Sequence, residues 1–116
     1  MYTLALILVA LVAVEHVYIM VLEIFLWRRE RTLKTFNMTA QFAADTVPLA
    51  ANQGLYNGFL AAGLFWGVTA GRTDVMTFFL ICVVVAGLYG GATNSPRIAL
   101  VQALPAGLAL MALWIA

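Results

Sequence analysis

Long apolar stretches separated by polar segments are the dominant pattern of this chain. The stretches cover about residues 3–27, 48–69, 74–91 and 97–116. Each is close to the roughly 20 mostly apolar residues that a helix needs to cross the hydrocarbon core of a bilayer. Apolar residues follow one another without the alternation typical of a half-buried strand, so helices are favoured. The pattern predicts an all-α fold, a four-transmembrane-helix bundle that forms a single integral membrane domain over residues 1–116.

The segment between the first two stretches, Arg28 to Val47, is the longest linker. Its first part is basic, and its second part mixes apolar residues such as Phe36 and Phe42 with polar ones. We expect the basic part to extend the first helix beyond the membrane. The second part is expected either to form a short helix lying at the membrane interface or to be a solvated loop. The predicted bundle therefore has a short basic or interfacial segment between helices 1 and 2.

The composition supports the membrane class. The chain is 65% hydrophobic and only 9% charged, whereas soluble domains are nearer half apolar and a quarter charged. The net charge of +1 provides no basic surface for a nucleic acid, so no nucleic-acid partner is expected. The single cysteine, Cys82, can form no internal disulfide.

The distribution of basic residues predicts the orientation in the membrane. Five of the six basic residues follow the first or the third stretch: Arg28, Arg29, Arg31, Lys34 and Arg97. Arg72 follows the second stretch and lies on the other side. We therefore expect a multi-pass protein of the plasma (inner) membrane with both termini outside and the loop 28–47 in the cytoplasm.

Three ionisable residues interrupt the first apolar stretch: Glu15, His16 and Glu23. On an α-helix, at about 100° per residue, they fall within one arc of about 100°. A charged group at the bilayer centre costs about 2.5–3.5 kcal/mol on insertion scales. This face of the helix is therefore expected to look into protein or water and not into lipid.

The other three helices are predicted to bring polar side chains to the cytoplasmic half of the membrane: Asn52, Gln53, Tyr56, Asn57, Tyr89 and Gln102. With a rise of 1.5 Å per residue, Asn52 to Asn57 and Gln102 lie roughly 6–14 Å inside the starts of their helices. Glu23 has a similar depth, while Glu15 and His16 lie deeper. Together these residues predict a polar intramembrane pocket that opens to the cytoplasmic side and has Glu15 and His16 at its floor.

Structural explanations of the same residues stay open. The amides can satisfy backbone groups or link helices, the tyrosines can belong to an interfacial aromatic belt, and Glu23 can pair with Arg28. No catalytic residue is predicted. No metal site is predicted either, because Glu15 and His16 point about 100° apart and Glu23 lies roughly 12 Å along the helix axis. A metal-dependent enzyme is therefore ranked last, and the sequence leaves any cofactor unknown.

Glycines recur at four-residue spacing, which is typical of close helix packing in membranes. The sets are Gly54 with Gly58, then Gly63, Gly67 and Gly71, and Gly87 with Gly91. The second helix carries two of these sets and is expected to pack closely on two sides. Pro105 lies inside the fourth stretch and is expected to kink that helix.

Four stretches together resemble a known family: "EHVYIMVLEIFLW", "NQGLYNGFLAAGLFWG", "GLYGGAT" and "QALPAGLAL". They are similar to the domain-of-unknown-function family numbered 1304, which consists of small four-span integral membrane proteins. The resemblance covers nearly the whole chain and implies a helical membrane protein, with no particular substrate or reaction. The residues that match the family pattern are Glu15, His16, Tyr18, Glu23, Trp27, Asn52, Gln53, Gly54, Tyr56, Asn57, Gly58, Gly90 and Gln102. A looser likeness links Glu15 to the embedded glutamate of small multidrug-resistance transporters, although the surrounding residues differ from that family.

Three functions fit these observations. In the first, the pocket binds or carries a small amphipathic or lipid-like ligand, and Glu15 and His16 handle protons. In the second, the protein has a structural or assembly role, and its polar residues only specify helix packing. In the third, it is a proton-coupled transporter of the small multidrug type, and a homodimer completes the path. The lipid bilayer is the common partner of all three.

Overall fold

The computed structural model describes residues 1–116 and contains helices and no strands, which confirms the predicted all-α class. In chain order the elements are α1 (Tyr2–Ile24), α2 (Glu30–Phe36), α3 (Ala40–Asp45), α4 (Val47–Ala70), α5 (Thr73–Thr93), α6 (Pro96–Ile98), a π-helical segment (Ala99–Ala103) and α7 (Leu104–Ile115). The long helices coincide with the four apolar stretches to within a few residues.

Three helical segments are long and apolar enough to cross a membrane: Tyr2–Ile24, Thr73–Thr93 and Pro96–Ile115. Helix α4 is as long as these, with 24 residues, but it does not reach the same apolar composition. The reason is the amides and glycines of its first half, which begins "VPLAANQGLYNG". Length and composition therefore establish three candidate spans.

The basic segment does not extend the first helix, so that expectation is wrong. Helix α1 ends at Ile24, and the chain turns before α2 begins at Glu30. The turn is fixed by Trp27, whose Nε1 donates a hydrogen bond of 3.1 Å to Thr46 Oγ1 and whose ring packs on Phe36 with centroids 5.1 Å apart. These contacts tie Trp27 to α2 and to the residue that precedes α4. The linker thus contains the two short helices α2 and α3.

The last apolar stretch changes from α-helix to π-helix and back to α-helix along its length. Ser95 caps its start, as its Oγ accepts a hydrogen bond from the Arg97 nitrogen at 3.3 Å. The π-helical segment then closes with a bond from the Leu104 N–H to the Ala99 carbonyl, five residues back. Pro105 follows directly, and its ring cannot tolerate the carbonyl of residue i−4 in regular α geometry. The predicted distortion at Pro105 is therefore accommodated by a wider turn before it.

Contacts divide the chain into two compact units. The first unit comprises residues 1–14 and 60–116. Its core is formed by fully buried small and aliphatic side chains, among them Val9, Leu64, Met76, Leu80, Val83 and Ala106. Close backbone approach requires glycine here: a Cβ on Gly87 would lie only 2.6 Å from the Ala103 nitrogen.

The second unit comprises residues 15–59. It contains the last part of α1, helices α2 and α3, and the first part of α4. Gly54 lies against α1, since a Cβ added there would meet Ile24 Cγ1 at 2.8 Å and Glu23 Cβ at 3.0 Å. Gly58 faces Met20 in the same way. The Gly54–Gly58 pair is thus the packing face of α4 in this unit, as its spacing indicated.

Candidate functional site

A hydrogen bond between Glu23 and Asn57 joins α1 to α4 inside the second unit. The Asn57 Nδ2 donates to Glu23 Oε1 at 2.6 Å, and both residues are buried, with 3% and 9% of their surfaces exposed. The absence of a side chain at Gly54, one turn before Asn57, lets the two helices approach closely enough for this bond. Glu23 therefore has an amide partner from the neighbouring helix and not the Arg28 that the sequence offered as an alternative.

Glu15 and His16 lie two turns further into α1. His16 is 1% exposed, and its Nδ1 lies 3.9 Å from Glu15 Oε1, which is beyond hydrogen-bond range. Glu15 keeps 26% of its side chain accessible, but its Oε1 atom is buried and has no hydrogen-bond partner. A buried carboxylate oxygen without a donor is costly. Glu15 is therefore the acidic group that is open to a further proton, donor or cation.

The remaining predicted site residues are not brought together in this way. Asn52, Gln53 and Tyr56 are exposed on the first turns of α4, and the Tyr56 ring makes an edge contact with Phe59 at 5.6 Å. Tyr89 and Gln102 belong to the first unit. Tyr89 is exposed, whereas Gln102 is half-buried in the π-helical segment.

One polar residue, Thr32, is buried although the sequence did not predict it. Thr32 on α2 is 1% exposed, and its Oγ1 has no hydrogen-bond partner. It lies in an open depression together with Leu22, Leu26, Arg29, Glu30 and Arg31. Its neighbours in sequence are Arg31 and Leu33. Apolar residues in this basic linker do not recur at a regular spacing, so nothing in the sequence indicated that Thr32 is buried.

The arrangement of acidic groups offers no metal centre. No group of three or more His, Cys, Asp or Glu side chains lies close enough together to hold a metal ion. What the site can do chemically is accept hydrogen bonds and exchange protons through a carboxylate and an adjacent imidazole.

Comparison with known proteins identifies the family. The sequence model of the family described as "Protein of unknown function (DUF1304)" matches residues 10–114. The chain belongs to the DUF1304 family. This confirms the resemblance carried by the four stretches, and the DUF1304 match includes all nine predicted site residues. The chain is also similar to the uncharacterized protein YpaA of Lactococcus lactis subsp. lactis (strain IL1403), with 35% identity over 117 residues that cover 97% of this chain and 96% of the relative. No solved structure matches this DUF1304 protein.

Proposed function

We propose that this DUF1304 protein binds or carries a small amphipathic or lipid-like ligand at a polar site inside the membrane, with Glu15 and His16 as the proton-handling groups. The observation that carries the proposal is the buried Glu15 Oε1, which lacks a hydrogen-bond partner. The Glu15 side chain is 26% accessible, so a cationic or hydrogen-bond-donating group of a ligand can reach its carboxylate, and rotation of the carboxylate would then supply the missing interaction. A proton would take its place when the ligand leaves, so binding and proton release would be coupled.

Glu23 and Asn57 have a different part in the proposal. Their bond of 2.6 Å occupies one Glu23 oxygen and fixes α4 against α1 in the second unit. We assign them the role of positioning residues, which hold the helix face that carries Glu15.

The exposed polar residues of α4 fit the cytoplasmic mouth of the site. Asn52, Gln53 and Tyr56 fall within about 100° of one another on the helix. They begin about 8 Å from the start of α4 at a rise of 1.5 Å per residue. At that depth water and head groups reach amides and phenols, so an exposed position there is not penalised as it would be at mid-membrane.

The proposed topology has four spans. Helix α4, with 24 residues, is about 36 Å long at 1.5 Å per residue, which is enough to cross a hydrocarbon core of about 30 Å. Both termini would then lie outside, and residues 28–47 would lie on the cytoplasmic side of the inner membrane, in agreement with the bias of basic residues.

A second copy of the chain completes the site in this proposal. Two depressions lie around Trp66 and around Thr32, and neither includes Glu15. A small ligand is usually held in a cleft that buries most of its surface. A homodimer that covers the accessible side of Glu15 would provide such a cleft.

Binding of tetraphenylphosphonium, a lipophilic cation, tests the proposal. Equilibrium dialysis against the protein in nanodiscs, corrected for empty nanodiscs, should give saturable binding that weakens at least about tenfold in Glu15→Gln. Glu23→Gln is the matched control, because glutamine still accepts the bond from Asn57, and its affinity should stay within about threefold of the original. Adding Asp74→Asn to both proteins removes the other carboxylate that lies beside aromatic rings, and equal binding by that pair would contradict the proposal.

A structural role is the second candidate, and the Glu23–Asn57 bond favours it. If the polar residues only specify packing, then Glu15→Gln and His16→Ala will lower the midpoint of thermal unfolding and leave both cation binding and cellular phenotype unchanged. If the binding role is correct, then Glu15→Gln will change cation binding at a nearly constant unfolding midpoint.

A further inference from the structure

An aromatic depression lies where α4 is followed by α5 in the first unit. It is lined by Trp66, Asp74, Val75, Phe78 and Phe79 and has a volume of about 310 Å³. Phe78 and Phe79 meet edge to face with centroids 5.2 Å apart. The place therefore combines three aromatic rings with one carboxylate, and the function proposed above uses none of these residues.

The guanidinium of Arg72 contacts two of the residues that line this depression, Asp74 and Trp66. Arg72 Nε lies 2.9 Å from Asp74 Oδ1, and Nη2 lies 2.8 Å from Asp74 Oδ2. The central carbon of the same guanidinium lies 5.8 Å from the centre of the Trp66 ring. A cation with delocalised charge thus contacts both the carboxylate and the indole. The depression therefore suits a ligand that carries such a cation.

The intramolecular pair is one that a ligand can displace. The Arg72 and Asp74 side chains are 51% and 70% exposed, and exposed ion pairs contribute little to stability. Trp66 and Phe78 are also more than half exposed, so their faces are open to an incoming group. Aromatic rings around a carboxylate are the surroundings in which quaternary ammonium groups bind, because the methyl groups pack on the rings while the charge faces them.

We propose that Trp66, Asp74, Phe78 and Phe79 form a binding site for a quaternary ammonium group, and that Arg72 is the internal cation that the ligand displaces. The ammonium group is carried either by a lipid head group or by a soluble molecule. An interfacial aromatic belt would account for the aromatic rings, but it would need neither the Asp74 carboxylate nor the Arg72 guanidinium beside Trp66.

Titration with tetramethylammonium tests this site. Saturation-transfer NMR on the methyl protons, with the protein in maltoside micelles, should detect weak binding to the original chain. Arg72→Gln should bind about two- to fivefold more tightly, because the competing cation, held only by an exposed ion pair, is gone. Asp74→Asn and Trp66→Leu should lose the signal.

The controls are Arg97→Gln and Trp114→Leu, which remove a cation and an indole elsewhere and should leave the titration unchanged. Trp66→Phe keeps a ring at the site and should retain weakened binding, which distinguishes loss of the site from misfolding of Trp66→Leu. Equal affinity in the original chain and Arg72→Gln, or unchanged binding in Trp66→Leu, would overturn the proposal.

A second arm distinguishes the two sources of the ammonium group. If the natural ligand is a lipid head group, nanodiscs of phosphatidylcholine will block tetramethylammonium binding while nanodiscs of phosphatidylglycerol will not. If the ligand is soluble, tetramethylammonium will bind equally in both.

Discussion

Glu15 and Glu23 carry the same carboxylate on the same helix, but their surroundings differ. Glu23 accepts a hydrogen bond from the buried Asn57 amide at 2.6 Å. Glu15 has only the neighbouring His16 ring at 3.9 Å and one buried oxygen without a donor. The two glutamates therefore differ in role because their hydrogen-bond partners differ. Glu23 stabilises the packing of two helices, and Glu15 is the candidate for proton exchange.

Asn57→Leu tests the packing role of the amide. The substitution leaves Glu23 buried without its donor, and we expect a loss of about 1–2 kcal/mol in the free energy of unfolding. Unfolding in a titration with a denaturing detergent measures this loss. Gln53→Leu, at an exposed position of the same helix, should change the free energy by less than about 0.5 kcal/mol. Similar values for the two variants would show that the Glu23–Asn57 bond contributes no stability.

The sequence places three polar side chains on one face of α1 but does not determine how they pair. Helix periodicity places Glu15, His16 and Glu23 on one arc, and that follows from α1 alone. The partner of Glu23 depends on the register of α4 against α1, which the spacing within each helix does not determine. Only the three-dimensional structure could therefore show that Glu15 is the carboxylate with an oxygen that lacks a donor.

At the scale of the element, glycine spacing in α4 anticipated where helices come close. Gly54 and Gly58 face the last part of α1, as a four-residue repeat predicts. The end of α1 was not anticipated, because "LEIFLWRR" continues the apolar run beyond Ile24. The helix ends where Trp27 contacts Thr46 and Phe36. These residues are distant in sequence, so the spacing of apolar residues within α1 cannot predict their contacts.

The two glycines of α4 should differ in their tolerance of alanine. At Gly54 a new Cβ would meet Glu23 Cβ at 3.0 Å and the Met20 carbonyl oxygen at 3.3 Å. Both atoms are fixed to the backbone of α1, so they can move only if the helix itself shifts. At Gly58 the close atom is the Met20 sulfur, the end of a flexible side chain. Gly54→Ala should therefore destabilise the protein by about 1–3 kcal/mol and Gly58→Ala by clearly less. Equal losses in detergent-induced unfolding would contradict this contact geometry.

A second pair of glycines tests the packing of the first unit. A Cβ on Gly87 would meet the backbone of Ala103 in the π-helical segment, whereas nothing lies within 4 Å of a Cβ on Gly107. Gly87→Ala should lower the midpoint of thermal unfolding. Gly107→Ala should leave it unchanged or raise it slightly, since alanine favours a helix by about 1 kcal/mol over glycine. A lower midpoint for Gly107→Ala than for Gly87→Ala would contradict the assigned contacts.

At the scale of the whole molecule, the number of spans decides the sidedness of every loop. Three helices qualify by length and composition, and the proposed fourth span is α4. If α4 crosses the membrane, the α2–α3 linker and the turn after α5 lie on one side, and the turn between α4 and α5 lies on the other. If α4 does not cross, the linker and the α4–α5 turn share a side.

Single-cysteine labelling in intact cells distinguishes these two topologies. The background is Cys82→Ser, and the reporters are Gln41→Cys, Thr73→Cys and Asn94→Cys, at three exposed positions. A membrane-impermeant maleimide should label Thr73→Cys from outside and leave the other two unlabelled until the cells are permeabilised. Matching behaviour of Gln41→Cys and Thr73→Cys would rule out α4 as a span.

Proton release on cation binding is the decisive test of whether Glu15 exchanges a proton for a bound cation. Calorimetric titration of the nanodisc-embedded protein with tetraphenylphosphonium, repeated in buffers of different ionisation enthalpy, counts the protons exchanged. We expect release of up to about one proton per bound cation for the original chain and for Glu23→Gln, and none for Glu15→Gln. Undiminished release by Glu15→Gln, or binding by the original chain without any release, would contradict the assignment of Glu15 as the proton-handling group.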